Sequence, residues 1–195
     1  MQLTRRAAFL AVLAGLVAGS MPAIAADAEN TMVISLKDGD VTVALRPDLA
    51  PKHVAQIKKL VRAKAYDNVV FHRVIDGFMA QTGDVKYGNA KKGFSADMVG
   101  TGGSDLPDLP AEFSNEHYER GVVGMARSQD PNSANSQFFI MFAPAPSLDG
   151  QYTIVGKVEK GMDLVDRIKK GDPAQNGTVA DPDRMVKVRI AADGK

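Results

Sequence analysis

The stretch MVISLKDGDVTVAL, residues 32–45, sets the fold class. Two runs of β-favouring residues, 32–36 and 41–45, flank Asp38-Gly39, and an aspartate–glycine pair between such runs is the strongest short-range signal for a β-hairpin. Outward from this hairpin, similar apolar runs recur at 69–75, 78–82, 122–125, 138–142, 153–158 and 186–190. Two segments read as helix. After Pro51, Val54, Ile57, Leu60 and Val61 recur at helical spacing with lysines between them, and proline suits a first helical turn. From Met162 to Lys169, Leu164, Val165 and Ile168 share one side, with Gly171 as the stop. A mainly β chain of eight strands and two separated helices predicts a closed eight-stranded β-barrel capped by the two α-helices. The one long irregular region, residues 85–120, is rich in Gly, Asp, Pro and Asn, and loops of that length are usually functional or mobile.

The beginning of the chain predicts its compartment. Arg5 and Arg6 precede an uncharged run, residues 7–18, followed by Pro22 and the small-residue pattern Ala23-Ile24-Ala25. These are the parts of a secretory signal peptide, and the run is too short to span a bilayer as a helix. Residues 1–25 are therefore expected to be a leader and residues 26–195 a single domain in the periplasm. Thr4-Arg5-Arg6 with Phe9-Leu10 also approximates a twin-arginine signal, so the export route stays open. The chain has no cysteine, which leaves an exported protein to be stabilised by its core rather than by disulfides. Lys and Arg number 24 against 23 Asp and Glu, and the leader holds two of the arginines and no acid, so the expected domain is near neutral. That balance offers no footprint for nucleic acid, and no later segment is long and apolar enough to span a membrane.

Several motifs lead nowhere. GQYTIVGK, residues 150–157, has five residues between its glycines where a phosphate loop needs four, and reads as a turn entering a strand. His53, His72 and His117 lack metal-ligand spacing, so no metal and no cofactor are expected. GTGGS, residues 100–104, has neither the strand nor the helix of an anion site and reads as a flexible turn. Asn176-Gly177-Thr178 matches a glycosylation acceptor, a pattern too short to mean much alone. Ser133 and Ser136 have no nucleophile-elbow context. Machinery for acid, base or nucleophilic catalysis is not apparent.

Against that background FHRVIDGFMAQTGD, residues 71–84, poses a question, because Arg73 interrupts what otherwise reads as two apolar strands and a turn. A buried guanidinium is costly unless paired, so it is either a surface residue or aimed at a substrate. FHRVIDGFMAQTGD, GTGG, MARSQDPNSANSQFFI and SLDGQYTIVGKV occur in this order, and the set resembles the cyclophilins, the peptidyl-prolyl cis-trans isomerases, over nearly all of the chain beyond the leader. The resemblance implies an eight-stranded antiparallel barrel with two capping helices, an active groove on its outer surface, and proline-containing polypeptides as substrates. An exported member would assist the folding of exported proteins.

The chemistry suits the residues. Amide rotation is opposed by ~18–20 kcal/mol because nitrogen shares its lone pair with the carbonyl. Twisting an X-Pro bond localises that pair on the prolyl nitrogen. A fixed guanidinium donating there binds the twisted state better than the planar one, which is what catalysis requires. By resemblance, Arg73 is that catalytic group. Phe78, Met79, Phe139 and Leu148 form the proline pocket, and Gln81 orients the arginine and the substrate. Gln137 and the backbone at Ala126 and Arg127 hold the peptide, and Tyr152 stands where many cyclophilins have histidine. Phe138 and Phe139 are adjacent in a strand, so one of them belongs to the core.

Two departures stand out. Residues 85–99 exceed the compact loop common in cyclophilins, and Ser147 replaces a tryptophan or other aromatic residue. Since cyclosporin binds the proline groove of many members, serine at this position implies weak affinity for that drug. The competing reading is a non-catalytic module with the same barrel that binds Pro-containing segments; the intact Arg73 speaks against it.

Overall fold

The computed structural model describes residues 27–194, so the expected leader lies outside the described residues. Eight antiparallel strands form one sheet: β1 (Thr31–Leu36), β2 (Gly39–Leu45), β3 (Arg73–Ile75), β4 (Met79–Thr82), β5 (Val122–Met125), β6 (Phe138–Met141), β7 (Ile154–Lys160) and β8 (Lys187–Ile190). Their order across the sheet is β3-β4-β6-β5-β7-β2-β1-β8. The opening hairpin pairs Leu36 with Gly39, so its two loop residues are Lys37 and Asp38. Gly39 opens β2 at φ +148°, a backbone angle that favours glycine.

The strands alternate. Met32, Ile34, Val41, Val43, Val74, Ala80, Val123, Phe138 and Ile140 face inward and pack with Val54, Ile57, Leu60 and Val61 of helix α1 (Pro51–Arg62). Proline does begin this helix, but Ala50 before it supplies no side-chain cap. The Glu112 carboxylate caps it instead, accepting from the Lys52 and His53 backbone N–H groups at about 3.1 Å and bonding His53 Nδ1 at 2.7 Å. Helix α2 is shorter than the sequence pattern implied, Met162–Asp166, and stops at Arg167 rather than at Gly171. Its Val165 joins the core, and its Leu164 packs over Gly39.

The barrel is open. β3 and β8 end the sheet and share no ladder, which corrects the closed barrel expected from the sequence. The expected strand 69–75 contributes only its last three residues, while Val69 and Val70 form isolated bridges to Asn89 and Arg184. Two irregular segments fill the seam. Residues 183–185 bond to 68–71, through Phe71 N–H to Asp183 C=O at 2.8 Å and Met185 N–H to Val69 C=O at 2.9 Å. Residues 171–179 bond to 72–74. A continuous strand cannot form there because Pro173 and Pro182 have no N–H to give, and Asn176 and Asp181 take left-handed φ of +53° and +51°.

Residues 85–102 are ordered around one side chain. Asp84 is fully buried, and its carboxylate accepts from the N–H groups of Lys86 (3.1 Å), Tyr87 (2.9 Å), Gly100 (2.7 Å) and Gly102 (2.9 Å). The GTGGS segment thus cradles an anion after all, the protein's own. A Cβ at Gly102 would lie 2.5 Å from Asp84 Oδ1, so the cradle needs glycine there. This loop also docks on the body of the protein, with Val70 N–H donating to Gly88 C=O and Ala90 N–H to Asn68 C=O, both at 2.9 Å. Asp84→Ala would leave four donors without their acceptor. It is expected to cost on the order of 3 kcal/mol and to open the loop. Thermal unfolding and limited proteolysis at Lys86, Lys91 and Lys92 would check this; wild-type melting with an uncut loop would refute it.

Candidate active site

Sheet register aligns the site. Arg73 of β3 pairs with Gln81 of β4, Gln81 with Phe139 of β6, and Phe139 with Gly124 of β5, so these four form one row across the outer face. Met79 and Met141 form the next pair on the same face, because only alternate residues of a strand share a side. Phe138 turns inward and meets Tyr66 edge-on, while Phe139 turns outward into a second apolar cluster with Met79, Tyr118, Met141 and Ile154. The row works because Gly124 has no side chain. A Cβ there would lie 2.6 Å from Phe139 Cζ and 2.5 Å from Tyr118 Oη. The space goes to the Phe139 ring, which stacks on Tyr118 at 5.8 Å between centroids and receives Tyr152 edge-on at 5.9 Å.

Above Phe139 and Met79 lies a groove of about 210 Å³. Phe78, Leu148 and Tyr152 also line its apolar part, Arg73 and Gln81 its polar part, and Ala126 and Arg127 its rim. Nine of the ten residues singled out from the sequence therefore meet in one depression. Gln137, the tenth, lines an adjoining groove of about 470 Å³ that shares Gln81, Ala126 and Arg127 with the first.

Arg73 is half-buried and meets oxygen acceptors without charge. Its Nε donates to Asn176 C=O at 3.0 Å, Nη2 to Asn176 Oδ1 at 3.0 Å, and Nη1 to Gln81 Oε1 at 3.3 Å. Nη1 also lies 3.8 Å from Met79 Sδ. Among the described residues no carboxylate pairs with it. Burial lowers its pKa from the ordinary arginine value, with Tyr152 acting the other way. A guanidinium nevertheless stays charged at any working pH.

The support continues beyond Gln81. Gln81 Nε2 donates to Gln137 Oε1 at 3.0 Å, and Gln137 Nε2 donates to Gly100 C=O (3.0 Å) and Gly102 C=O (2.8 Å). The Gln137 amide is thereby spent on the scaffold, and the Asp84 cradle anchors the far end of the chain. Ala126 N–H is likewise taken, by Gln137 C=O at 2.9 Å, so its carbonyl is what it has to offer a peptide. Arg127, singled out for its backbone, also lays its guanidinium over the Tyr152 ring at 4.4 Å. Ser147 is exposed on the 3-10 turn Pro146–Leu148 that presents Leu148. His72, next to Arg73, is buried, and burial pushes its imidazole down to about 4, leaving it neutral near pH 7. Asn176 was missed: its only trace in the sequence was a three-residue pattern that suggested glycosylation.

The comparisons agree with this geometry. The model of the family described as cyclophilin type peptidyl-prolyl cis-trans isomerase/CLD matches residues 31–190. The chain belongs to the cyclophilin family. A probable peptidyl-prolyl cis-trans isomerase of Brucella suis is 67% identical over 189 residues, covering 97% of this chain and 95% of the relative. A peptidyl-prolyl cis-trans isomerase-like 1 of Aspergillus fumigatus is 33% identical over 84% of this chain and 96% of its own. Among solved structures, the cyclophilin AquaCyp293 from Hirschia baltica superposes with a TM-score of 0.72 at 28% identity, covering 87% of this chain and 76% of that one. A Cryptosporidium parvum cyclophilin, solved in the presence of the dipeptide Ala-Pro, does so with a TM-score of 0.69 at 27% identity, covering 82% and 98%. The chain is thus a cyclophilin-type peptidyl-prolyl cis-trans isomerase, and its curled eight-stranded sheet with two helices is the cyclophilin fold.

Proposed function

We propose that this cyclophilin isomerises X-Pro bonds of exported polypeptides by hydrogen-bond donation from Arg73, with the prolyl ring seated on Phe139 and Met79 between Phe78 and Leu148. The observation that carries this reading is a guanidinium beside an apolar pocket, held by neutral acceptors and free of any carboxylate among the described residues. An ion-paired arginine would be a weaker donor to a transient lone pair. Tyr152, braced by Phe139 and Arg127, closes one wall, and the Ala126 carbonyl is available to the peptide. The pocket fixes the ring while the carbonyl on the other side of the bond rotates. No proton moves and no covalent intermediate forms.

Arg73→Ala is expected to lower turnover of a short X-Pro peptide by a factor on the order of 10² to 10³, as for loss of a preorganised donor, with little change in melting temperature. Wild-type turnover should be nearly flat between about pH 6 and 8, because the reaction uses no titrating group and the neighbouring His72 is already neutral there. A fully active alanine variant or a bell-shaped profile would refute the assignment.

For cyclosporin we expect weak affinity. Exposed Ser147 has neither the apolar area nor the N–H of an indole, and losing an interface contact of that size costs about 2 kcal/mol, more than tenfold in affinity. Ser147→Trp should tighten drug binding without a matching gain in peptide turnover. Nanomolar inhibition of the unmodified protein would contradict this.

The periplasmic assignment is supported by the leader pattern in residues 1–25. Intact mass of protein recovered from the cell envelope should give a start at Ala26 or Asp27. Retention of Met1 on a cytoplasmic protein would overturn it. Replacing Arg5 and Arg6 with lysines should block export only if the twin-arginine route is used.

A further inference from the structure

We infer that Asn176 is a positioning residue of the isomerisation, fixing the plane of the Arg73 guanidinium with two acceptors from one residue; the inference rests on Arg73 being the catalytic donor. Residues 171–179 lie along the free edge of β3. Gly171 N–H donates to Val74 C=O at 2.8 Å, Val74 N–H to Gly177 C=O at 2.8 Å, and Val179 N–H to His72 C=O at 3.0 Å. The segment is therefore in register with the backbone on both sides of Arg73. Within it Asn176 adopts φ +53°, a conformation asparagine tolerates better than most residues. In that conformation its carbonyl receives Nε and its side-chain oxygen receives Nη2, each at 3.0 Å. Two acceptors on one edge of a rigid fork set both the position and the plane of the guanidinium, whereas Gln81 holds Nη1 by a single, longer bond of 3.3 Å.

The residue types follow from this duty. Gly177 has φ +78°, and a Cβ there would lie 2.5 Å from Ile75 Cγ1, so the Asn-Gly pair is dictated by close approach to β3. Aspartate at 176 would offer the same geometry but would place a negative charge against the catalytic cation and weaken its donation. Asparagine is the acceptor that orients without neutralising. The loop does not depend on the Asn176 side chain to fold. Gly177 N–H donates to Asp172 C=O, Ala174 N–H to Asp172 Oδ1, and the Thr178 hydroxyl to Gln175 C=O, each at 2.8 Å.

The test is Asn176→Gly, which keeps the carbonyl to Nε and suits the left-handed backbone while deleting the bond to Nη2. We expect kcat for an X-Pro peptide to fall about tenfold, with KM within about twofold and the melting temperature unchanged, since the lost interaction serves the twisted state. Asn176→Asp should lower kcat as well, despite keeping an acceptor in place. In an Arg73→Ala background, Asn176→Gly should cause no further loss, an outcome that a purely structural role would not give. Full kcat in Asn176→Gly while Arg73→Ala is slow would overturn this inference alone. Additive losses in the double variant, or a loss confined to KM, would also overturn it. Full activity in Arg73→Ala would instead remove the assignment of Arg73 on which it rests.

Discussion

A positive charge is kept next to an apolar pocket without a negative partner among the described residues, and much of the fold serves to hold it there. A carboxylate would be the cheapest way to stabilise a half-buried guanidinium, but it would also absorb the donor strength that the proposed hydrogen bond to a twisting peptide bond needs. Arg73 is held by Asn176 and Gln81 instead, all of whose acceptor oxygens are neutral. Bonds to neutral acceptors hold a guanidinium less strongly than a carboxylate would, so orientation has to come from the rigidity of what carries them. That explains why the supports run deep, through Gln137 to the glycines that Asp84 grips, and through residues 171–179 to the edge of β3.

The negative charge excluded from the groove is used one layer behind it. Asp84 is buried and takes four backbone N–H groups, which order the loop that follows it and fix Gly100 and Gly102 under Gln137. A carboxylate that collects several amide donors is well satisfied without a cation. Two stretches of sequence that look unrelated, a Gly-Asp end to a strand and a glycine-rich turn, are thus the two halves of one interaction.

The sheet has apolar residues on both faces, for different purposes. Its inner face and α1 make the stabilising core, while the outer face at β4, β5 and β6 makes a smaller cluster whose upper surface is the floor of the groove. Gly124 marks the difference: on the inner face a missing side chain would be a cavity, whereas on the outer face it is room for the Phe139 ring. The open seam between β3 and β8 is part of the same economy. Because the outer edge of β3 is not paired with a regular strand, an irregular loop can lie along it and present both a carbonyl and a side-chain oxygen to Arg73.

Local sequence determined the elements whose cause is local. The hairpin at Asp38-Gly39, the proline start of α1 and the alternation that sets Phe138 and Phe139 on opposite faces could be read from spacing, because period-2 patterning and turn chemistry act within a few residues, while the set of residues facing the groove was legible only through the family resemblance. What tertiary structure alone decided lies between residues far apart in the chain. The grip of Asp84 on Gly100 and Gly102, the Glu112 cap on α1, the bracing of Tyr152 by Arg127 and the hold of Asn176 on Arg73 all join segments whose separation carries no periodic signal. Closure of the barrel was misread for the same reason. Whether two edge strands meet depends on prolines and left-handed residues in the segments between them, and on the bonds those segments find across the seam.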